Sequence, residues 1–212
     1  MAVVLSDVAV CNMALRLLGA NAISSLTDAT DTAATCNLLY GPLKQSILTA
    51  HHWSFATKKV VLQRITTVPK NEYKYEYELP SDRLEGGGLA GYNSNQQYAR
   101  PFMDWRIMEE QIHTNAELFV LEYMFDIQEP RWPAHFVRLV SHAMASEIAV
   151  TTTDSANRAD YYDRKAYGTP NENRRGGLFR ASANTDSKQQ PNKAFENFEV
   201  LGAFSSSEFD GC

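Results

Sequence analysis

The alternation of hydrophobic and polar residues is most regular between residues 133 and 150. Pro133 suits the first position of a helix, because its missing N–H costs no hydrogen bond there. Apolar side chains then recur at steps of three and four residues, the spacing of one helix face: Phe136, Leu139, Val140, Ala143, Met144 and Ile148. The pattern predicts a long helix with one buried face.

Glu147 interrupts this face, since its position on the helix falls near the middle of the apolar stripe. A carboxylate on a buried face needs a partner. We expect an ion pair or a capping contact with an arginine, either inside the fold or across a subunit contact. The alternative role is that of a catalytic acid.

The first helix of the chain is predicted to begin after Ser6 as N-cap and to end at Gly19 as C-cap. Its apolar positions extend well beyond one stripe: Val8, Val10, Cys11, Met13, Ala14, Leu15, Leu17 and Leu18. A short helix this apolar is expected to be covered on more than one side. Another subunit is a candidate for the second cover.

Two more helices complete the helical pattern. One is predicted over residues 32–51, with a kink rather than a break at Pro42, because the apolar spacing keeps its phase across the proline. The other runs from Ser155 as cap to residue 167, where Gly168 ends it.

Between the second and third helices the periodicity changes from helix to strand. Residues 73–79 alternate strictly and place three tyrosines and a leucine on one side, which indicates a half-buried strand. The tyrosine face is either packed on a core or serves as a ligand platform. Pro80 to Asp82 form a turn, residues 86–88 a glycine loop, and residues 105–112 and 117–125 two further strands.

Composition changes after residue 171, where Asn, Ser, Gly and Gln dominate. Such a stretch cannot bury enough apolar area to fold alone. Its isolated aromatic residues are expected to anchor an extended arm, either on its own domain or on a partner: Phe179, Phe195, Phe198, Phe204 and Phe209.

The sequence therefore predicts an α+β fold. It consists of a four-helix bundle (residues 1–55 and 126–168), a β-rich insertion between helices two and three (residues 56–125), and an extended C-terminal arm (residues 169–212).

Composition and charge limit the function. The 212 residues carry a net charge of −5, which argues against a protein that coats nucleic acid, since neutralising phosphates requires surplus Lys and Arg. We expect neither a membrane span nor a signal peptide. Cys11, Cys36 and Cys212 lack metal-binding spacing. The first two are expected to be reduced thiols of the core and Cys212 a residue of the tail, which fits a protein made in the cytosol.

One group of carboxylates is a weak candidate for a catalytic site. Asp104, Glu109 and Glu110 could supply the paired carboxylates of a glycan hydrolase acting on cell-surface polysaccharide, although carboxylates on a strand edge are more commonly solvated charges. No cofactor or metal motif is recognised. The other alternative that composition allows is a cytosolic α+β binding protein.

Four segments in the right order resemble one family. Residues 48–55 (LTAHHWSF), which contain Trp53, resemble the "L…hpWxF" segment of phage head-to-tail adaptor proteins. Residues 73–82, with Tyr75, Tyr77, Pro80 and Asp82, resemble its "YxYxLPxD" strand and turn. Residues 132–149 resemble the "wp…lAxelA" helix, and residues 12–19 the opening helix. The similarity spans roughly residues 5–167 and is strongest to the tail tubular protein A group of short-tailed phages.

The resemblance implies a structural protein of the virion, made in the host cytoplasm, and no enzyme. It implies a ring, usually of twelve copies, beneath the portal protein, which extends the channel for the genomic DNA and docks the tail nozzle protein. It also implies structural roles for Trp53, Tyr75, Tyr77, Pro80 and Asp82, and it would explain Glu147 as a structural position of the family. The net negative charge suits a wall along which DNA slides without sequence-specific binding.

Overall fold

A computed structural model describes residues 5–66, 69, 71–93 and 101–189. The α-helices of this part of the chain are α1 (Asp7–Leu18), α2 (Asp31–Thr49), α3 (Ala134–Thr153), α4 (Ala156–Tyr167) and α5 (Gly177–Ser187). Its strands, which all lie between α2 and α3 in sequence, are β1 (Thr57–Val61), β2 (Tyr75–Glu78), β3 (Leu89–Tyr92), β4 (Trp105–Met108), β5 (Gln111–Thr114) and β6 (Val120–Met124). Short 3-10 turns occupy Ser54–Ala56, Glu129–Arg131 and Pro170–Glu172.

The strands form two antiparallel sheets of three strands each, in the orders β1-β6-β3 and β2-β5-β4. In the first sheet Val60 pairs with Leu121, and in the second Tyr77 pairs with Ile112. Apolar residues of the helices and of both sheets belong to one continuous core. The predicted α+β class is confirmed.

Helix α3 is the centre of the helical part, because it packs against each of α1, α2, α4 and α5. Its faces around Leu139 and Met144 are fully buried, and even Ser141 and Ser146 are covered. The predicted four-helix bundle is not confirmed, because a fifth helix also packs on α3 and α4.

Helix α1 has the predicted caps, whereas α2 begins at Asp31 and ends at Thr49, two residues before the predicted end. Ser6 caps α1 by accepting a hydrogen bond from the Ala9 N–H, and Gly19 closes it with φ of 77°. Helix α2 is capped by Thr30 and continues through Pro42 without a break. The Cys11 side chain of α1 and the Cys36 side chain of α2 are buried free thiols, whereas Cys212 lies outside the described residues.

The extended arm predicted from residue 169 is wrong for the part that the structure describes. Helix α5 packs against the helical body, and Phe179 is buried among Trp53 and His51, with its ring centroid 5.9 Å from that of Trp53. The polar composition concealed a helix in which Phe179 belongs to the core and Leu178 packs against it. Phe195, Phe198, Phe204 and Phe209 lie outside the described residues.

Two features of the β-rich part differ from expectation. The strand predicted over residues 105–112 is a hairpin, because Glu109 and Glu110 both adopt positive φ (49° and 64°), as a tight turn between β4 and β5 requires. Strand β3 forms directly after the predicted glycine loop, where no strand was predicted. It approaches the core closely, since a Cβ on Gly91 would lie 2.5 Å from the ring of Phe119.

Candidate functional site

An open, largely apolar groove with a volume of about 1010 Å³ lies between α1 and α3. We call it the α1/α3 groove. Its lining comprises Ser6, Val8, Ala9, Asn12, Met13, Arg16 and Leu17 from the α1 side, and Trp132, Ala134, Val137, Arg138, Ser141 and His142 from the α3 side. Its size and apolar lining are suited to a protein segment or a helix face.

Several contacts hold α1 in place as one wall of this groove. The last turn of α1 leaves carbonyls without partners inside the helix. Two side chains of α4 supply donors: Arg158 Nη1 donates to Leu18 O at 2.9 Å, and the Tyr162 hydroxyl donates to Leu17 O at 2.6 Å. Farther along, the Asn12 amide makes two hydrogen bonds with the backbone of Ile23. The wall is therefore fixed at its end and at its middle.

Only one side of α1 is covered by the described part of the chain. Leu15 and Leu18 are buried against α3, as predicted. Met13 and Leu17 face outward with 41% and 37% of their surface exposed, and they border the groove. The sequence predicted cover on more than one side, and the second side of α1 is the surface that a partner could cover.

The groove carries positive charge and no carboxylate. Arg16 and Arg138 are its charged residues, both are exposed, and neither forms an ion pair within 4.0 Å among the described residues. Burial lowers the pKa of His142, whose Nδ1 lies 2.8 Å from the Arg138 carbonyl oxygen, so the imidazole stays neutral near neutral pH. A partner that combines apolar and acidic residues would match this lining.

The prediction that Glu147 is buried is wrong, because its side chain is exposed. It borders a second groove of about 450 Å³, lined on one side by α2 and on the other by the segment after α4. Arg174 and Arg175 line the same groove, but Arg174 forms its ion pair with Asp163 at 3.2 Å. The helical periodicity placed Glu147 correctly on α3; the neighbouring elements leave that position open to solvent.

The carboxylates considered for hydrolysis do not meet as a group. Asp104 precedes β4 and Glu109 follows it, so roughly 16 Å of extended chain separates them at about 3.3 Å per residue. Glycoside hydrolysis needs two carboxyl groups within about 5–9.5 Å. Glu109 and Glu110 line a polar groove of about 350 Å³ together with Glu78, Glu85 and Arg83.

The residues for which the resemblance implies structural roles lie at junctions of the fold. Trp53 is fully buried, and its indole N–H donates to Ile47 O at 3.0 Å. The buried Tyr77 donates its hydroxyl proton to the carbonyls of residues 116 and 117, whereas Tyr75 is half-buried beneath Arg64. The predicted tyrosine face is therefore mainly a packed sheet face.

The turn after β2 contacts two neighbouring strands of the first sheet. Pro80 accepts a hydrogen bond from the Arg83 N–H at 3.2 Å. The Asp82 carboxylate accepts hydrogen bonds from Lys58 and, at 2.7 Å, from the Tyr123 hydroxyl. The Lys58 contact holds the pKa of Asp82 below its ordinary value. Asp82 thus links β1 to β6.

Two polar clusters of the structure were not predicted from the sequence. Asp186, almost completely buried, accepts hydrogen bonds from the Ser54 N–H (2.8 Å) and hydroxyl (2.6 Å), and so fastens α5 to the start of the β-rich part. Lys44 on α2 contacts Asp126 at 2.8 Å and Glu129 at 3.1 Å. The partners in each cluster are more than 80 residues apart, so no local pattern indicates them.

The described residues contain no group of His, Cys, Asp and Glu arranged to hold a metal ion. None of their helices combines the length and apolar character needed to cross a membrane. The sequence matches no protein-family model and no curated protein.

Proposed function

We propose that this chain is a structural head-to-tail adaptor of a phage virion. Copies form a ring beneath the portal protein, extend the channel for the genomic DNA and dock the nozzle protein of the tail. The similarity of four sequence segments to that family motivates the proposal. All four contribute buried core residues, such as Leu15, Trp53, Tyr77 and Met144, so the resemblance lies in residues that support the fold.

The observation that carries the proposal is the α1/α3 groove. A ring needs a heterologous contact, in which one face of each copy meets a different face of the next. The groove is one such face: rigidly held, apolar, and uncovered by the described residues.

Helix α2 offers a second, different face. Its exposed positions from Ala34 to Gln45 carry no charge, and Leu38 is 73% exposed. An uncharged helix face can enter an apolar groove without desolvating an ion. The α1/α3 groove of each copy is therefore suited to receive the α2 face of the next copy around a ring.

The test is the mass of the purified full-length protein, alone and mixed with its portal, by light scattering, followed by electron microscopy of any assembly. We expect closed rings, either alone or on the portal. Met13→Glu should abolish them, because it places a charge in the groove. Met103→Glu is the matched control, since Met103 is 86% exposed in the β-rich part and outside the groove.

A protein that stays monomeric with and without the portal would refute the proposal. If rings form equally well with Met13→Glu and with Met103→Glu, the proposed ring stands, but the α1/α3 groove is not the contact between its copies.

A further inference from the structure

The α1/α3 groove has a match within the chain itself. The groove offers apolar floor residues such as Val137 and Leu17, together with the cations Arg16 and Arg138, and no carboxylate lines it. Its ligand should combine large apolar side chains with negative charge.

Residues 194–212 have this composition. They contain four acidic residues and no Lys or Arg, and four of the ten phenylalanines of the chain. Within this stretch Phe195, Phe198 and Leu201 recur at steps of three residues, with Glu196 and Glu199 between them. Apolar anchors at such steps are typical of a peptide that enters a groove as a helix.

Helix α5, which precedes this stretch in the chain, packs against α3, one wall of the groove. Helix α5 reaches the first turn of α3, where the Ser182 hydroxyl donates to His135 O at 3.1 Å, and Ala134 next to it lines the groove. The description ends at Gln189, and the five residues to Ala194 can span at most about 17 Å. A segment of the same chain binds intramolecularly, and a linker that spans the distance gives it an effective concentration in the millimolar range.

We propose that residues 194–204 bind in the α1/α3 groove of their own chain. Phe195 and Phe198 occupy the apolar floor, and Glu196 and Glu199 face the two arginines. The inference concerns the isolated chain and stands whether or not the proposed ring exists. If the ring does use the groove, a neighbouring copy has to displace this segment first.

The test replaces one anchor of the full-length protein by a photo-crosslinker, Phe198→p-benzoylphenylalanine, and maps the products by mass spectrometry. We expect cross-links within a single chain to α1 or to the first two turns of α3. Cross-links to any other surface, cross-links between chains, or none at all would overturn the proposal.

The charge contribution is tested by Arg138→Glu in the same cross-linking protein, with Arg106→Glu as the control. Both arginines are exposed, and both substitutions change the net charge equally, but Arg106 lies on β4 outside the groove. We expect Arg138→Glu to lower the cross-link yield about two- to fivefold, and Glu199→Arg in the same chain to restore it. A yield equal to that of Arg106→Glu would overturn the pairing. In the cross-linking protein with no charge substitution, raising the salt concentration should also lower the cross-link yield.

Discussion

Helix α5 is held on the helical body by a buried carboxylate, and Asp186→Ala tests that contact. Asp186 accepts one hydrogen bond from the Ser54 N–H at 2.8 Å and one from the Ser54 hydroxyl at 2.6 Å. The alanine variant removes both and leaves the Ser54 N–H without its acceptor. Since Asp186 is only 1% exposed, water cannot replace the carboxylate without opening the contact.

The magnitude follows from the two bonds. Hydrogen bonds to a charged group contribute about 1.5–3 kcal/mol each, and the partly exposed serine hydroxyl regains some of its share from water. We therefore expect the free energy of unfolding to fall by about 3 kcal/mol. For a chain of this length that corresponds to a decrease in Tm of about 6–12 °C.

The assay is urea and thermal unfolding followed by circular dichroism, together with amide hydrogen exchange of α5. Asp160→Ala is the matched control, because Asp160 is exposed and pairs only with Arg164 on the same helix, so its loss should cost about 0.3–0.5 kcal/mol. Two results together would refute the docking of α5 on the helical body: Asp186→Ala no more destabilising than Asp160→Ala, and unprotected amide hydrogens in α5 of the wild type. They would favour the extended arm that the sequence predicted.

Three further changes test the packing and the charges. Lys44→Met should lower the free energy of unfolding in urea by about 2–4 kcal/mol, because it removes the cation from a largely buried cluster; a loss below about 1 kcal/mol would contradict this. Burial would raise the pKa of Glu129, but its own backbone N–H and Lys44 outweigh burial and hold that pKa below 4.5. This carboxylate therefore stabilises the fold above pH 4.5 and loses that effect as the pH falls through its folded pKa. When the free energy of unfolding is measured against pH in the acid range, Glu129→Gln should show a weaker pH dependence than the wild type. Gly91→Ala should lower the free energy of unfolding in the same urea assay by about 1–3 kcal/mol, because its Cβ would lie 2.5 Å from the Phe119 ring. Gly41→Ala in α2 is the control: its Cβ meets no atom within 4 Å, so the variant should raise the free energy of unfolding by up to about 1 kcal/mol.

Candidate sites were harder to predict than elements. The excess of apolar residues on α1 indicated a surface in need of a second cover, and the structure places Met13 and Leu17 beside the groove. The wall from α3, with Val137 and Arg138, was not foreseen, since both lie off the predicted apolar stripe. A groove between two helices depends on how they are placed, and neither helix contains that information alone.

The sequence by itself determined the local elements of this protein. Ser6, Gly19 and Ser155 satisfy the backbone groups that helix ends leave open, and these caps appear where predicted. The alternation over residues 73–79 includes the strand Tyr75–Glu78, because side chains of a pleated backbone point to opposite faces in turn. Such rules act between neighbours in the chain, so a short window of sequence contains them.

Only the tertiary structure decided which polar positions are buried and which apolar ones are not. Asp186 is buried because Ser54 lies against it from 132 residues away, and Phe179 is part of the core because Trp53 is there to receive it. Glu147 is exposed because no element of the described residues covers its part of α3. Burial depends on the elements that pack against a residue, and those elements come from distant parts of the chain.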